Sequence, residues 1–157
     1  MAIDVDLKNF ALEFLRTLPN DLLTSEAQVK EFEGRWFDQH APMIENVYGV
    51  YVIVTQSEAI AYIGKADKTS ISKRLGNHLR APNKDRDTFP ERQGCLIYPK
   101  HRWIKQPSTL SNEISSGDFR VICFILESSS FASLLEVALQ LWCELHGGLP
   151  AFNMRIG

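Results

Sequence analysis

Cysteine is sparse in this 157-residue sequence and is never paired at short range. Cys95, Cys123 and Cys143 form an odd set with no Cys-x-x-Cys spacing and no histidine at metal-ligand spacing, which argues against a zinc ribbon or a disulfide scaffold. Cys123 lies in an apolar strand-like run and Cys143 in an apolar helix, so both are expected as buried, reduced thiols. Long hydrophobic runs are also missing. No stretch approaches the ~18 apolar residues of a membrane span, and Met1-Ala2-Ile3-Asp4 lacks the basic-then-apolar pattern of a secretory signal. A cytoplasmic protein without a membrane is therefore expected. No Gly-rich phosphate loop and no alternating βαβ series occur, which argues against a Rossmann or P-loop enzyme. Internal repeats and low-complexity tracts are absent too.

What is present is enough for a real core: 45% hydrophobic and 10% aromatic residues in a length that suits one domain. The net charge of −2 hides a strong asymmetry. From Lys65 to Lys105 there are eleven Lys/Arg against four Asp/Glu, a local net of +7, while residues 1 to 48 carry −5 and residues 106 to 157 carry −3. Lys65, Lys73, Arg80, Lys84, Arg86, Arg92, Lys100, Arg102 and Lys105 belong to that basic segment, with Phe89, Tyr98, His101 and Trp103 interleaved. One lysine serves solubility, but cations clustered beside aromatics fit a surface that tracks phosphates.

Leu7, Phe10, Ala11, Phe14, Leu15 and Leu18 recur at helical spacing, and Pro19-Asn20 ends the pattern. Ser25 with Gln28 resembles a capping box for a second helix that would present Val29, Phe32 and Trp36 on one side. Val47 to Thr55 is apolar on both alternating faces, as expected for a strand covered on both sides. Gln56-Ser57-Glu58 connects it to an antiparallel partner from Ala59 to Gly64. Thr69 or Ser70 can cap a helix to about Arg80, with Ile71, Leu75 and Leu79 toward the core. A polar insert at about 81 to 118 holds Pro82, Pro90, Pro99 and Pro107, and only Cys95 to Tyr98 in it looks strand-like. Val121 to Leu126 reads as a third strand, and Phe131 to about His146 as an apolar helix stopped by Gly147-Gly148. The expected fold is α/β or α+β: a small mixed or antiparallel three-stranded sheet flanked by helices. Residues 1 to 46 would form a two-helix extension on a domain spanning residues 47 to 157.

Several residues could carry chemistry. Ten residues separate Tyr51 from Tyr62, so a tight hairpin can set their phenols side by side, where they could orient a water or take its proton. A free phenol titrates near ~10, so acting as a base requires a cation nearby. Arg74 and His78, at i and i+4, share a helix face, where a guanidinium could bind phosphate. An isolated Arg/His pair is more often a solvated stripe. Glu136 lies in the most apolar helix with Ser133 and Gln140 as a narrow polar strip. It is either a carboxylate on an exposed edge or a hard oxygen ligand for Mg²⁺. Asn153 alone would read as a turn residue.

Taken in order, these positions resemble the GIY-YIG nuclease family. Gly49-Val50-Tyr51 looks like the GIY element, Tyr62-Ile63-Gly64 is the YIG element as written, and Arg74 with His78 resembles the family's Arg-x-x-x-His helix. Glu136 matches its helical glutamate and Asn153 its late asparagine. The resemblance spans about Val47 to Arg155. Val50 replaces the central isoleucine, and the insert is longer than in the smallest members, as in restriction-type ones. It implies an endonuclease that hydrolyses DNA phosphodiesters with Mg²⁺, for which Mn²⁺ can substitute. Glu136 would hold the metal, Tyr51 would be or help form the base, and Tyr62 would orient the water. Arg74 would stabilise the transition state, His78 would assist by proton transfer or by hydrogen bonding to a tyrosine, and Asn153 would brace the site. The implied partner is nucleic acid, double-stranded DNA first. A non-catalytic nucleic-acid-binding module or a protein-interaction domain retaining the fold is the competing expectation.

Overall fold

In the computed structural model the described residues are 3–18, 28–57, 59–79, 117–126, 129–148 and 150. Their elements are α1 (Ile3–Arg16), β1 (Gln28–Glu33), a short helical passage whose α-turn is α2 (Phe37–His40), β2 (Tyr48–Thr55), β3 (Ile60–Ala66), α3 (Ile71–Leu79), β4 (Phe119–Leu126) and α4 (Ser130–Leu145). The strands form one antiparallel sheet in the order β1-β4-β2-β3. The fold is thus α+β.

Among the described residues the sheet has four strands, where three are expected from the sequence. The fourth is β1, which stands where the second N-terminal helix was expected and pairs with β4 from Gln28 opposite Ile125 to Glu33 opposite Arg120. Val29 and Phe32 are three apart, which on a helix puts them on one side; on a strand it puts them on opposite faces. Both faces of this sheet carry a core. Val29 packs into the one shared with α1 and α4, and Phe32 into the one shared with α2 and α3. Trp36, expected on the apolar side, is 44% exposed in the turn that follows.

The central strand β2 is buried from Gly49 to Thr55, as its two apolar faces require. Val50, Val52 and Val54 face Leu7, Ala11, Leu135 and Leu139, while Tyr51 and Ile53 face Ile44, Ile71 and Leu75. Gly49 sits at φ +151 where the β4 backbone comes closest: a Cβ there would lie 1.9 Å from the Phe124 carbonyl oxygen. Only glycine allows that approach. Ser70 caps α3 by accepting a hydrogen bond from the Lys73 amide at 3.2 Å. At the other end of the molecule α4 stops as anticipated. Gly147 and Gly148 have positive φ, and the amides of His146 and Gly148 both donate to the Cys143 carbonyl. Cys123 and Cys143 are buried free thiols, each pushed up to about 12 by burial, which suits packing rather than redox chemistry.

Candidate active site

The hairpin supplies the first two residues. Tyr51 pairs with Gly64 and Ile53 with Tyr62, so the two tyrosines lie diagonally on the same face. A bulge at Ala61 lets Ala61 and Tyr62 both pack on that side. Their ring centroids are 6.0 Å apart and tilted by 33°. Gly64 makes room for this. A Cβ there would come within 2.6 Å of the Tyr51 hydroxyl and of the Tyr62 ring. The glycine of the Tyr-Ile-Gly triplet therefore has a packing cause. Tyr51 is fully buried, whereas Tyr62 is partly exposed and is the phenol nearer to solvent.

Arg74 reaches the same place from α3. Burial holds the Tyr51 phenol well above its ordinary 10, charge on Tyr62 adds to that rise, and the Arg74 guanidinium opposes it through its charge and a hydrogen bond to the phenol. Tyr51 is thus a neutral phenol near neutral pH. Arg74 itself is exposed, so its remaining donors reach solvent.

Glu136 arrives from the opposite side of the sheet. The strip Ser133, Glu136 and Gln140 does not line an exposed edge of α4: Glu136 is 6% and Gln140 1% exposed. The strip lies against β3, an edge strand of the sheet. The Lys65 ammonium donates to the Ser133 hydroxyl at 2.9 Å, the Lys65 amide donates to the Glu136 carboxylate, and the Gln140 amide donates to the Ile63 carbonyl at 3.4 Å. Burial raises the Glu136 carboxyl above its ordinary 4.5. The charges of Lys65 and Arg74 act against that rise and Asp67 reinforces it.

Tyr51, Tyr62, Arg74 and Glu136 therefore converge at the β3 edge from β2, β3, α3 and α4. His78 lies on the α3 backbone, but its side chain is outside the described residues, as are that of Leu79 and the whole of Asn153. Of the basic residues, Lys73 is exposed on α3, while Lys65 is turned into the site. Arg80, Lys84, Arg86, Arg92, Lys100, Arg102 and Lys105 fall outside the described residues, as do Cys95 to Tyr98. One member of the cluster was missed in the sequence: Asp67, whose carboxylate stands 3.7 Å from the Lys65 ammonium. Ile63, Lys65 and Asp67 recur at the period of a strand, and that alternation was the available signal.

A separate open cleft of about 340 Å³ lies beyond the turn end of β2, lined by Arg35, Thr55, Gln56, Asp118 and Arg120 among others. None of the converging residues lines it. No family model matches the chain, and no curated protein or solved structure matches it either.

Proposed function

We propose that the β3 edge is the active site of a metal-dependent endonuclease that hydrolyses DNA phosphodiester bonds, as the resemblance to the GIY-YIG family implies. The observation that carries this reading is the convergence just described: two phenols, a guanidinium and a desolvated carboxylate, from four elements, around one strand edge. No group of three or more His, Cys, Asp or Glu side chains that could hold a metal ion occurs among the described residues. One carboxylate suffices for Mg²⁺ when water and phosphate oxygens complete its shell. Glu136 fits that use, because a carboxylate disfavoured by burial gains from a nearby cation.

Bound there, Mg²⁺ would polarise the scissile phosphate and stabilise the departing oxygen. The chain's own groups do the rest. Arg74 directs free N–H donors at the phosphate, where they offset charge that builds in the transition state. Tyr62, partly open to solvent, orients the attacking water by hydrogen bonding. Tyr51 stays a neutral phenol even with Arg74 beside it, so it would serve as a base only as a phenolate, which requires a further cation, such as the bound metal, to offset its burial. Lys73, exposed on α3, contacts the nucleic-acid backbone together with the basic insert.

A non-catalytic binding module has one observation in its favour. The Lys65 amide gives Glu136 a purely structural task, covering a strand edge. Incubation with linear, branched and single-stranded DNA, and with RNA, in Mg²⁺ or Mn²⁺ separates the readings. The nuclease reading expects cleavage of at least one DNA that chelator abolishes. Binding without cleavage of any of them supports the module.

A further inference from the structure

Among the described residues β3 is the last strand of the sheet, so every second residue on it turns its backbone N–H and C=O away from β2. Ile63 and Lys65 are two such residues, since the Ile63 carbonyl accepts from Gln140 and the Lys65 amide donates to Glu136. Two side chains one turn apart on α4 thus hold successive outward-facing groups of the strand that carries Tyr62. The two contacts are not equivalent. The Glu136 carboxylate is the group assigned above to the reaction, and binding a cation competes for its oxygens. The Gln140 amide is neutral and has no part in the chemistry, so a cation does not compete for it.

From this division we infer that Gln140 is a positioning residue: its amide, clamped on the Ile63 carbonyl, fixes α4 against β3 and so sets the distance between the Glu136 carboxylate and the Tyr51–Tyr62 pair. The inference rests on the reading of this edge as a nuclease site, but its structural half stands independently. A side chain only 1% exposed that spends its amide on a strand carbonyl has no solvent role. Ile63 is also the central residue of the Tyr-Ile-Gly triplet, flanked by Tyr62 and by the glycine that admits both rings. A shift of α4 by an ångström displaces Glu136 relative to the phenols without touching either, and misplacement of that size costs about a hundredfold in rate.

Gln140→Met removes the donor and keeps the volume; Gln140→Asn keeps the amide but withdraws it by one methylene. Amide hydrogen exchange, read residue by residue by NMR on the full chain, is expected to show the Lys65 amide exchanging about tenfold faster in both variants, the equivalent of losing one hydrogen bond. Amides of β3 paired with β2 should keep their protection. Single-turnover DNA cleavage should fall about ten- to a hundredfold while DNA affinity stays within about twofold. Unchanged Lys65 exchange overturns the inference. Loss of protection throughout β3, or failure of both variants to fold, overturns it as well, since Gln140 would then be an ordinary folding residue. If the wild-type chain cuts no nucleic acid, the nuclease reading fails and the exchange data alone decide whether Gln140 tethers Glu136.

Discussion

At the β1 edge of the sheet the side chains carry charge into solvent, whereas at the β3 edge a helix lays a buried carboxylate and a buried amide against the strand. Among the described residues each edge has a strand on one side only, and such an edge invites pairing with another chain unless it is protected. β1 meets that hazard with Lys30, Glu31 and Glu33, two of them exposed, and with a loose ion pair from Lys8 to Glu31 at 3.2 Å. β3 is covered by the polar strip of α4, which leaves Glu136 buried. Exposed charge is enough to protect an edge. At the β3 edge the carboxylate is instead buried, within electrostatic reach of Lys65, Arg74 and Asp67, and it is there that the chemistry is proposed.

The contrast is broken most severely through the hairpin that supports the β3 side. Gly49→Ala adds a Cβ that would sit 1.9 Å from a backbone oxygen at a φ of +151. Strain and overpacking together are expected to cost about 4 kcal/mol. Chemical denaturation would show this as a lowered midpoint, and a fully stable variant would mean the strands can separate there.

The next effect falls mainly on chemistry. Arg74→Ala takes a hydrogen-bond partner from the buried Tyr51 phenol and should lower stability by about 1–2 kcal/mol, while slowing cleavage by about 10²-fold or more. Equal rates in variant and wild type would remove Arg74 from the site.

A smaller effect tests whether Glu136 is held at a cost. Burial raises its carboxyl above 4.5, so the folded chain retains a proton that the unfolded chain releases first. Its contribution to stability is full below 4.5 and declines as pH rises through the folded-state value. Glu136→Gln carries no charge and escapes that decline. Its unfolding midpoint should match the wild type in acid and exceed it at neutral pH. An equal or lower midpoint at neutral pH would show that the carboxylate is comfortably paired. Glu31→Ala, at the opposite edge, should cost only about 0.5 kcal/mol by urea denaturation, the scale of an exposed ion pair. A loss of several kcal/mol would mean that the two edges do not differ as described.

The parts of this fold legible in the sequence are those whose signals are local. Tyr48–Thr55 and Ile60–Ala66 announce themselves by continuous β-branched and aromatic residues around a short polar turn, and Ser130–Leu145 by its apolar length and glycine stop. β1 reads as a helix in the sequence for a definite reason. Val29 and Phe32 satisfy a helix with one apolar side as well as a strand between two cores, and the arbiter is its partner β4, some ninety residues away. The same limit applied to Glu136. Its strip with Ser133 and Gln140 is visible as spacing, but whether it faces water or a strand edge depends on which strand ends the sheet. The diagonal pairing of Tyr51 with Tyr62 was within reach of hairpin geometry. The role of Gly64 in seating both rings was not, because it depends on side-chain packing across the pair.

Glu136 carries most of the proposed chemistry, so the most direct measurement compares wild type and Glu136→Gln for single-turnover cleavage of a DNA that both bind, over a Mg²⁺ titration. Loss of several kcal/mol of transition-state stabilisation corresponds to a rate lower by about 10³-fold. That fall is expected in Glu136→Gln, with DNA affinity preserved and the variant more stable than the parent at neutral pH. Cleavage by Glu136→Gln at the wild-type rate and with the wild-type Mg²⁺ dependence would contradict the proposed role of Glu136.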